Sequence, residues 1–364
     1  MASELSMKNI LLISNYAAPY RGNFIPSLEA IERHLPSGSK VFYAFPLVAQ
    51  NIPWMQEFAL QHKVVFLQTS FYGKKPHRAS LVQLSRLIKQ EQIDVVHTHF
   101  IEGNINLWLL KKRTRVRFVA NLHNHYIPIG RLWLWRAWLF RKTNDGVIGD
   151  SPSVSESAYA INVKREKVVT ILNSIQFSRL DDYQLQDWKH EYKHTILMFG
   201  YPWHRKGVDV VAKAIHLLNQ QTQSIQLCIA QSGGVEATNE GIRQALGYLP
   251  NWVKNLPPIE RLADYYNSAD IFISGGREEG LSYSPIEAAY CQCDVICSDI
   301  PGNPTDIPTI GLYPVEDVDV LSAMIAERLA FSAEKKLNNK QQQHDYVFAH
   351  YNVENWAEEV IKIY

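Results

Sequence analysis

Two doubly wound α/β domains joined by a polar connection are what this sequence predicts. Three observations carry that expectation. Short apolar runs alternate with stretches of helical spacing in both halves of the chain. The alternation breaks once, across Asn173–Lys193, which is polar and rich in Asp, Gln and Lys. The length, 364 residues, is about two to three times that of a typical domain.

Taken in order, Lys8–Ser14 reads as a first strand and Phe24–Leu35 as a helix. Lys40–Phe45 and Lys63–Leu67 follow as strands, and Ser80–Gln90 is a helix with Leu81, Leu84, Leu87 and Ile88 on one face. Asp94–His99, Arg117–Leu122 and Gly146–Gly149 are short and apolar, like parallel strands buried on both faces. Beyond the polar connection come strand Thr195–Phe199, helix Gly207–Asn219 and strand Ile225–Ala230. Helix Ile259–Ser268, strand Asp270–Ser274, helix Pro285–Tyr290 and strand Asp294–Ser298 complete the series. Two helices close the chain, the last over Val353–Tyr364. Ligands of such folds bind beyond the carboxyl ends of the strands, here expected in the cleft between two facing domains.

Composition narrows the class. With 46% hydrophobic and 20% charged residues, the chain has material for large cores and no disordered bias. No apolar run approaches the roughly 18 residues needed to span a bilayer, and Met1–Lys8 is polar, unlike a signal peptide. The four cysteines, Cys228, Cys291, Cys293 and Cys297, form no CxxC pair, so neither a disulfide framework nor a zinc ribbon is expected. A cytoplasmic location follows as the expectation. The net charge of +1 hides an asymmetry: residues 1–180 hold 23 Lys+Arg against 11 Asp+Glu, and residues 181–364 hold 14 against 25. One half therefore faces something anionic. No nucleic-acid module accompanies the basic half, so a nucleic-acid partner is not expected.

The densest chemistry lies in Ser274–Glu287, which runs from a strand into a helix. Gly275, Gly276 and Gly280 let the backbone approach a ligand, and amides at the helix start favour phosphate. Glu279 and Glu287 bracket that cradle, one in the loop and one expected on the first helical turn. Carboxylates are poor phosphate ligands, so their expected work is to accept hydrogen bonds from hydroxyls on either side. A helix-start acid beside an exposed loop acid is the plainer alternative.

This stretch, continued through Ala288–Ile296 and Ser298–Asn303, resembles the donor-binding signature of the family 4 retaining glycosyltransferases of the GT-B fold. The resemblance implies that Glu279 contacts the donor sugar and Glu287 the nucleotide ribose. Backbone amides near Gly280, Leu281 and Ser282 would hold the diphosphate. This chain departs from the family at Ser282 and Gln292, where glycine is usual, and at Ser284 and Asp294, where proline is.

Phe199–Asp209 carries the second block. A transferase that expels a nucleoside diphosphate needs cations where negative charge builds up on the leaving oxygen, and Arg205 and Lys206 would supply them. Gly200, Lys206 and Gly207 align with the family, while Tyr201 occupies the position of its arginine. After the first strand, Gly22 stands for one of the two glycines of the family's loop against donor and acceptor. His123 matches a histidine beside the donor sugar. The pairs His97/His99 and His123/His125 could each present two rings on one face, but no carboxylate or cysteine converges on them in sequence. Polar packing is expected for His97, His99 and His125, and no metal. Tyr351–Tyr364 resembles the family's terminal helix, which crosses back to the N-terminal domain.

The resemblance thus implies a GT-B pair of Rossmann-like domains. Residues 1–176 with helix 350–364 would form the acceptor side, and residues 177–349 the nucleotide-sugar side. It implies a metal-independent retaining transferase without cofactor, a UDP-sugar being the first choice of donor. The acceptor would be a glycan or lipid-linked molecule in cell-surface polysaccharide or glycoconjugate synthesis. Two rivals stay open: a non-catalytic GT-B subunit supporting a partner transferase, and a GT-B sugar-nucleotide epimerase. The basic stretches 111–117 and 131–142, the latter with Trp133, Trp135 and Trp138, fit peripheral contact with an anionic membrane at its inner face. Equally, those tryptophans could pack in the core or line an acceptor pocket.

Overall fold

The computed structural model describes all residues except 1–6, 127–131, 189–191, 222–223, 232 and 259–260. Most of the Met1–Lys8 segment, the start of the expected helix at Ile259, part of the Asn173–Lys193 connection and Arg131 of the basic stretch therefore lie outside the described residues. The chain divides into two compact units, Met1–Ser174 with Val353–Tyr364, and Ile175–Asn352.

The first unit holds β1 (Ile10–Ser14), α1 (Phe24–His34), β2 (Val41–Pro46), α2 (Pro53–Gln61), β3 (Lys63–Leu67), α3 (Arg78–Gln90), β4 (Val95–His99), α4 (Ile105–Thr114), β5 (Arg117–Leu122), α5 (Leu132–Thr143), β6 (Gly146–Gly149), α6 (Pro152–Ala160) and β7 (Val168–Thr170). Its seven strands are all parallel, in the order β3-β2-β1-β4-β5-β6-β7. β1, β2 and β4 to β6 are buried almost throughout because helices cover both faces. Ile10, Leu12 and Val95 pack toward α1, while Leu11, Ile13 and Val96 meet α3 and α4.

The second unit holds β8 (His194–Phe199), α7 (Val208–Gln220), β9 (Ile225–Ala230), α8 (Val235–Leu246), β10 (Val253–Leu256), α9 (Leu262–Ser268), β11 (Ile271–Ser274), α10 (Tyr283–Tyr290), β12 (Asp294–Ser298), β13 (Gly311–Tyr313), α11 (Val318–Ala330) and α12 (Ala333–His350). Its parallel strands run β10-β9-β8-β11-β12-β13. In each sheet the winding reverses once, between β1 and β4 and between β8 and β11. The carboxyl ends of those strands are where such sheets bind ligands.

The last helix, α13 (Val353–Ile361), belongs to the first unit. Val353, Trp356, Ala357, Val360 and Ile361 are buried in the cluster that contains Ile25, Leu28 and Ile31 of α1. Each aliphatic side chain so buried is worth about 1.5–3 kcal/mol. Arg33 Nη2 lies 2.5 Å from Glu354 Oε1 at the rim. Three helices, not two, close the chain, and the last stops at Ile361 rather than Tyr364.

Several elements carried too weak a pattern to be expected. β10 is the edge strand Val-Lys-Asn-Leu, and α8 mixes Thr238, Asn239 and Gly241 into its buried face. Residues 111–113 of the basic stretch form the last turn of α4.

The departures at 292 and 294 have local consequences. Gln292, just beyond α10, adopts φ +55°, the left-handed conformation that glycine takes without strain. Gln292→Gly should therefore raise stability by about 0.5–1 kcal/mol in urea unfolding, strain relief exceeding the added chain entropy. A loss of stability would show that the glutamine side chain contributes packing. Asp294, in place of proline, is buried with its carboxylate 2.5 Å from Arg328 Nη1. Burial raises this carboxyl above its ordinary range, against the pull of Arg328.

Candidate functional site

In the second unit, two segments distant in sequence converge at the carboxyl ends of β8 and β11. The turn after β8 ends at Gly207, whose φ is +68° and whose Cβ, if present, would stand 2.0 Å from the Gly275 carbonyl oxygen. A Cβ on Gly302 would likewise fall 2.0 Å from the Glu279 carbonyl oxygen. Any side chain at either position would push the loop away from its neighbour.

That contact brings three charged groups together. Lys206 Nζ donates to Glu279 Oε1 at 2.6 Å, and Arg205 Nη2 to Glu279 Oε2 at 2.9 Å. Arg205 Nε also donates to the Glu278 carbonyl at 3.0 Å. Glu279 is only 7% exposed, while the Arg205 side chain is 46% exposed. Two cations on one carboxylate leave a local net charge of +1, at an edge that solvent reaches through Arg205. Tyr201, 56% exposed, lays its ring over Gly234 and brings no charge.

Glu287 differs from its expectation. It is the fifth residue of α10, on the second turn rather than the first. It is buried, accepting from Tyr266 Oη at 2.9 Å, with Arg179 Nη1 at 3.7 Å from its other oxygen. Neither Tyr266 nor Arg179 stood out in sequence, since each lies in a different element from Glu287. The Ser282 amide is also committed: it donates to the Gly302 carbonyl at 2.8 Å, which removes it from the expected diphosphate contacts. Gly280 and Leu281 lie between Glu279 and this bond, in the loop that leads into α10. Asn303 braces the loop, its amide nitrogen donating to the Ser298 carbonyl at 2.8 Å.

The first unit carries Gly22 and His123. Gly22 has φ +58° beside the Tyr16 hydroxyl, just before α1. His123, after β5, stacks on Phe100 with ring centroids 4.1 Å apart. Its Nδ1 lies 2.7 Å from Asp150 Oδ2, and its Nε2 3.0 Å from His99 Nδ1. Asp150, after β6, is 1% exposed. It also accepts from Asn121 Nδ2 and, at 2.8 Å, from Asn173 Nδ2. No sequence pattern singled out Asp150; a lone acid closing an apolar strand was the available signal.

Burial holds His99 well below its ordinary pKa, with His97 and His123 adding to the shift, so it is neutral. Its Nε2 finds no hydrogen-bond partner among the described residues. The arrangement that strands no buried N–H puts the proton on His99 Nδ1, donating to His123 Nε2, and leaves His123 Nδ1–H for Asp150. Both nitrogens of His123 are then taken, so it can meet a ligand with its ring and not with a free N–H. His97, pushed down to about 3 by burial, pairs through Nδ1 with Tyr364 Oη at 2.7 Å. His97 and His99 are thus core residues, and His125 is half-buried. Among the described residues no metal-ligating group of three or more His, Cys, Asp or Glu forms, and the four cysteines are buried and unbridged.

α5 settles the question of the tryptophans in part. Trp133 packs with Ala137 and Phe140 in the core, while Leu132, Leu134, Trp135 and Trp138 are exposed, Leu134 at 68%. Trp138 leans on Trp108 of α4, over which Lys112 sits. Arg141 donates to the Ile161 carbonyl and so serves the fold. No helix among the described residues is long and apolar enough to cross a membrane.

Comparison with known proteins bears on the family and the fold. A family model described as Glycosyltransferase Family 4 matches residues 45–179, and one described as Glycosyl transferases group 1 matches residues 193–330. The chain is similar to the phosphatidylinositol N-acetylglucosaminyltransferase GPI3 subunit of Saccharomyces cerevisiae (strain YJM789). It is 22% identical over 358 residues, covering 91% of this chain and 72% of that protein. Among solved structures, a glycosyltransferase from Rickettsia africae ESF-5 superposes with a TM-score of 0.82 at 15% identity, covering 98% of this chain and 97% of that one. Anabaena HepE in complex with UDP and glucose gives a TM-score of 0.73 at 14% identity, covering 98% of each chain. The two family models together take in most of the sequence, and the chain is a family 4 glycosyltransferase of the GT-B fold.

Proposed function

We propose that this transferase moves a sugar, with retention, from a nucleotide-sugar donor, a UDP-sugar first, to a glycan or lipid-linked acceptor in cell-surface polysaccharide or glycoconjugate synthesis. The observation that carries the reading is the convergence of Arg205 and Lys206 on Glu279. Two cations beside a carboxylate provide for a leaving diphosphate and for a sugar hydroxyl in one place. Arg205 then serves where the family arginine is replaced by Tyr201. Glu287, oriented by Tyr266, accepts from the ribose, and the loop through Gly280 and Leu281 faces the diphosphate. As in the family, Gly22 then serves donor and acceptor, and His123 offers its ring to the donor sugar. The resemblance to the GPI3 subunit, named as a phosphatidylinositol N-acetylglucosaminyltransferase, supports a lipid-linked acceptor, and the UDP held by HepE supports a uridine donor. Retention follows if the departing diphosphate takes the acceptor's proton on the face from which it leaves.

Thermal-shift measurement with UDP, GDP and ADP tests the donor. A ligand at about 100 times its Kd should stabilise the protein by about 2.7 kcal/mol. No shift with any of the three would favour a non-catalytic subunit. UDP-sugar turnover that yields an altered sugar nucleotide and no transfer product would favour an epimerase.

We further propose that the α4–α5 face rests on an anionic membrane at its inner leaflet. Exposed Leu134, Trp135 and Trp138 beside Lys112 and Lys142 have the composition of an interfacial surface. Co-sedimentation with phosphatidylserine vesicles should weaken with salt. Neutralising Lys112 and Lys142 together should cost about thirtyfold in affinity, at about 1 kcal/mol per residue. Equal binding to neutral vesicles, or no binding to anionic ones, would remove the membrane claim.

A further inference from the structure

Arg277 sits inside the donor loop yet points away from the charges proposed to meet the donor. Its Nη1 and Nη2 lie 3.0 and 2.9 Å from the two carboxylate oxygens of Asp209, on the first turn of α7. Its Nε donates to Glu316 Oε1 at 2.7 Å, and Nη1 also donates to the His204 carbonyl. Its backbone N–H donates to the Arg205 carbonyl at 2.8 Å. All of these donors are therefore spent on the 204–209 turn or on Glu316. With two carboxylates around one guanidinium, Arg277 has no positive charge to offer a phosphate. What it does is tie two pieces of backbone together: the turn that carries Arg205 and Lys206, and the loop that carries Glu279 two residues further on.

We propose that Arg277 is a positioning residue, clamping the 204–209 turn to the 275–279 loop so that Arg205, Lys206 and Glu279 meet at the spacing a nucleoside diphosphate requires. The geometry gives the clamp its precision. The planar guanidinium fits the Asp209 carboxylate with two parallel bonds, which a lysine cannot reproduce. Gly207 and Gly275 are in backbone contact at the same seam, so a small opening there separates both cations from Glu279. The catalytic half of this inference rests on the donor reading above; the clamp itself does not.

Two measurements on the intact chain separate those claims. Native-state trypsin cleavage after Arg205 and Lys206, located by mass spectrometry and normalised to cleavage after Lys254, reports whether the turn is held. It should rise about tenfold in Arg277→Gln and in Asp209→Asn, with the double variant no worse than either single one, because both act through one contact. Calorimetry with UDP, set against an NMR titration with uridine, reports positioning. UDP affinity should fall about tenfold in Arg277→Lys and in Arg277→Gln, while uridine, which has no phosphate to meet Arg205 or Lys206, should bind within twofold of wild type. Should Arg277→Gln fail to fold, Arg277→Lys and Asp209→Asn carry both arms. Unchanged cleavage overturns the clamp. Unchanged UDP affinity, or equal loss for UDP and uridine, overturns positioning. Wild-type protein that binds neither UDP nor GDP overturns the donor reading instead, and the cleavage arm alone then judges the clamp.

Discussion

Glu279→Gln is expected to lower sugar transfer by about 100- to 1000-fold, the usual cost of losing one preorganised electrostatic contact at a reacting centre. The melting temperature should stay within a few degrees. Glutamine keeps the volume of glutamate, so the packing of the loop against Gly302 is preserved. What changes is charge: one carboxylate accepts from both Lys206 and Arg205, and an amide can accept from only one of them while presenting its own N–H groups to the other. The cations should separate, and the sugar should lose its acceptor group. Initial rates of transfer from a UDP-sugar, with a parallel circular-dichroism melt, check this. Transfer at the wild-type rate would mean that Glu279 has only a structural role and that the donor site has been misplaced.

The largest effect on stability is expected at Asp150. Its buried carboxylate accepts from His123 Nδ1, Asn121 Nδ2 and Asn173 Nδ2, three donors from two segments of the first unit, the end of β5 and the stretch after β7. Asp150→Ala strands all of them away from water, at a cost of about 3–5 kcal/mol. Much of the stability of an ordinary domain would be gone. Asp150→Asn keeps one oxygen and should cost less, but it turns an N–H toward donors that need an acceptor. Urea unfolding of both variants measures the difference. A loss below about 1 kcal/mol in Asp150→Ala would show that water replaces the carboxylate, and that the tautomer inferred for His123 does not depend on it.

Where the sequence pattern failed, the reason lies in particular residues. The strand Lys63–Leu67 and the strand Ile225–Ala230 fall where their apolar runs predict them: β9 is buried throughout, and the half-buried edge strand β3 still reads as a run because Val64, Val65, Phe66 and Leu67 are consecutive apolar β-formers. β10 was missed because an edge strand exposes one side and tolerates Lys254 and Asn255. α5 was ambiguous because its exposed face is as apolar as its buried one, so no stripe marks the side that packs.

The sequence by itself determined the parallel α/β class, the glycine at 207 beside the two cations, and the spacing of Glu279 and Glu287. Each of these is written in neighbouring residues: alternation along a strand, a turn at one glycine, a loop running into a helix. Only the tertiary structure decided that Arg205 reaches Glu279 across 74 positions of sequence and that Arg277 is spent on Asp209 and Glu316. It also decided that the Ser282 amide is taken by Gly302, and that Asp150 gathers His123, Asn121 and Asn173. Those pairings depend on which strand ends the parallel register sets side by side, here β8 beside β11 and β5 beside β6. Local propensity does not encode that register. Burial enforces it, because a slip would turn apolar side chains out of the core and leave charged groups inside without partners.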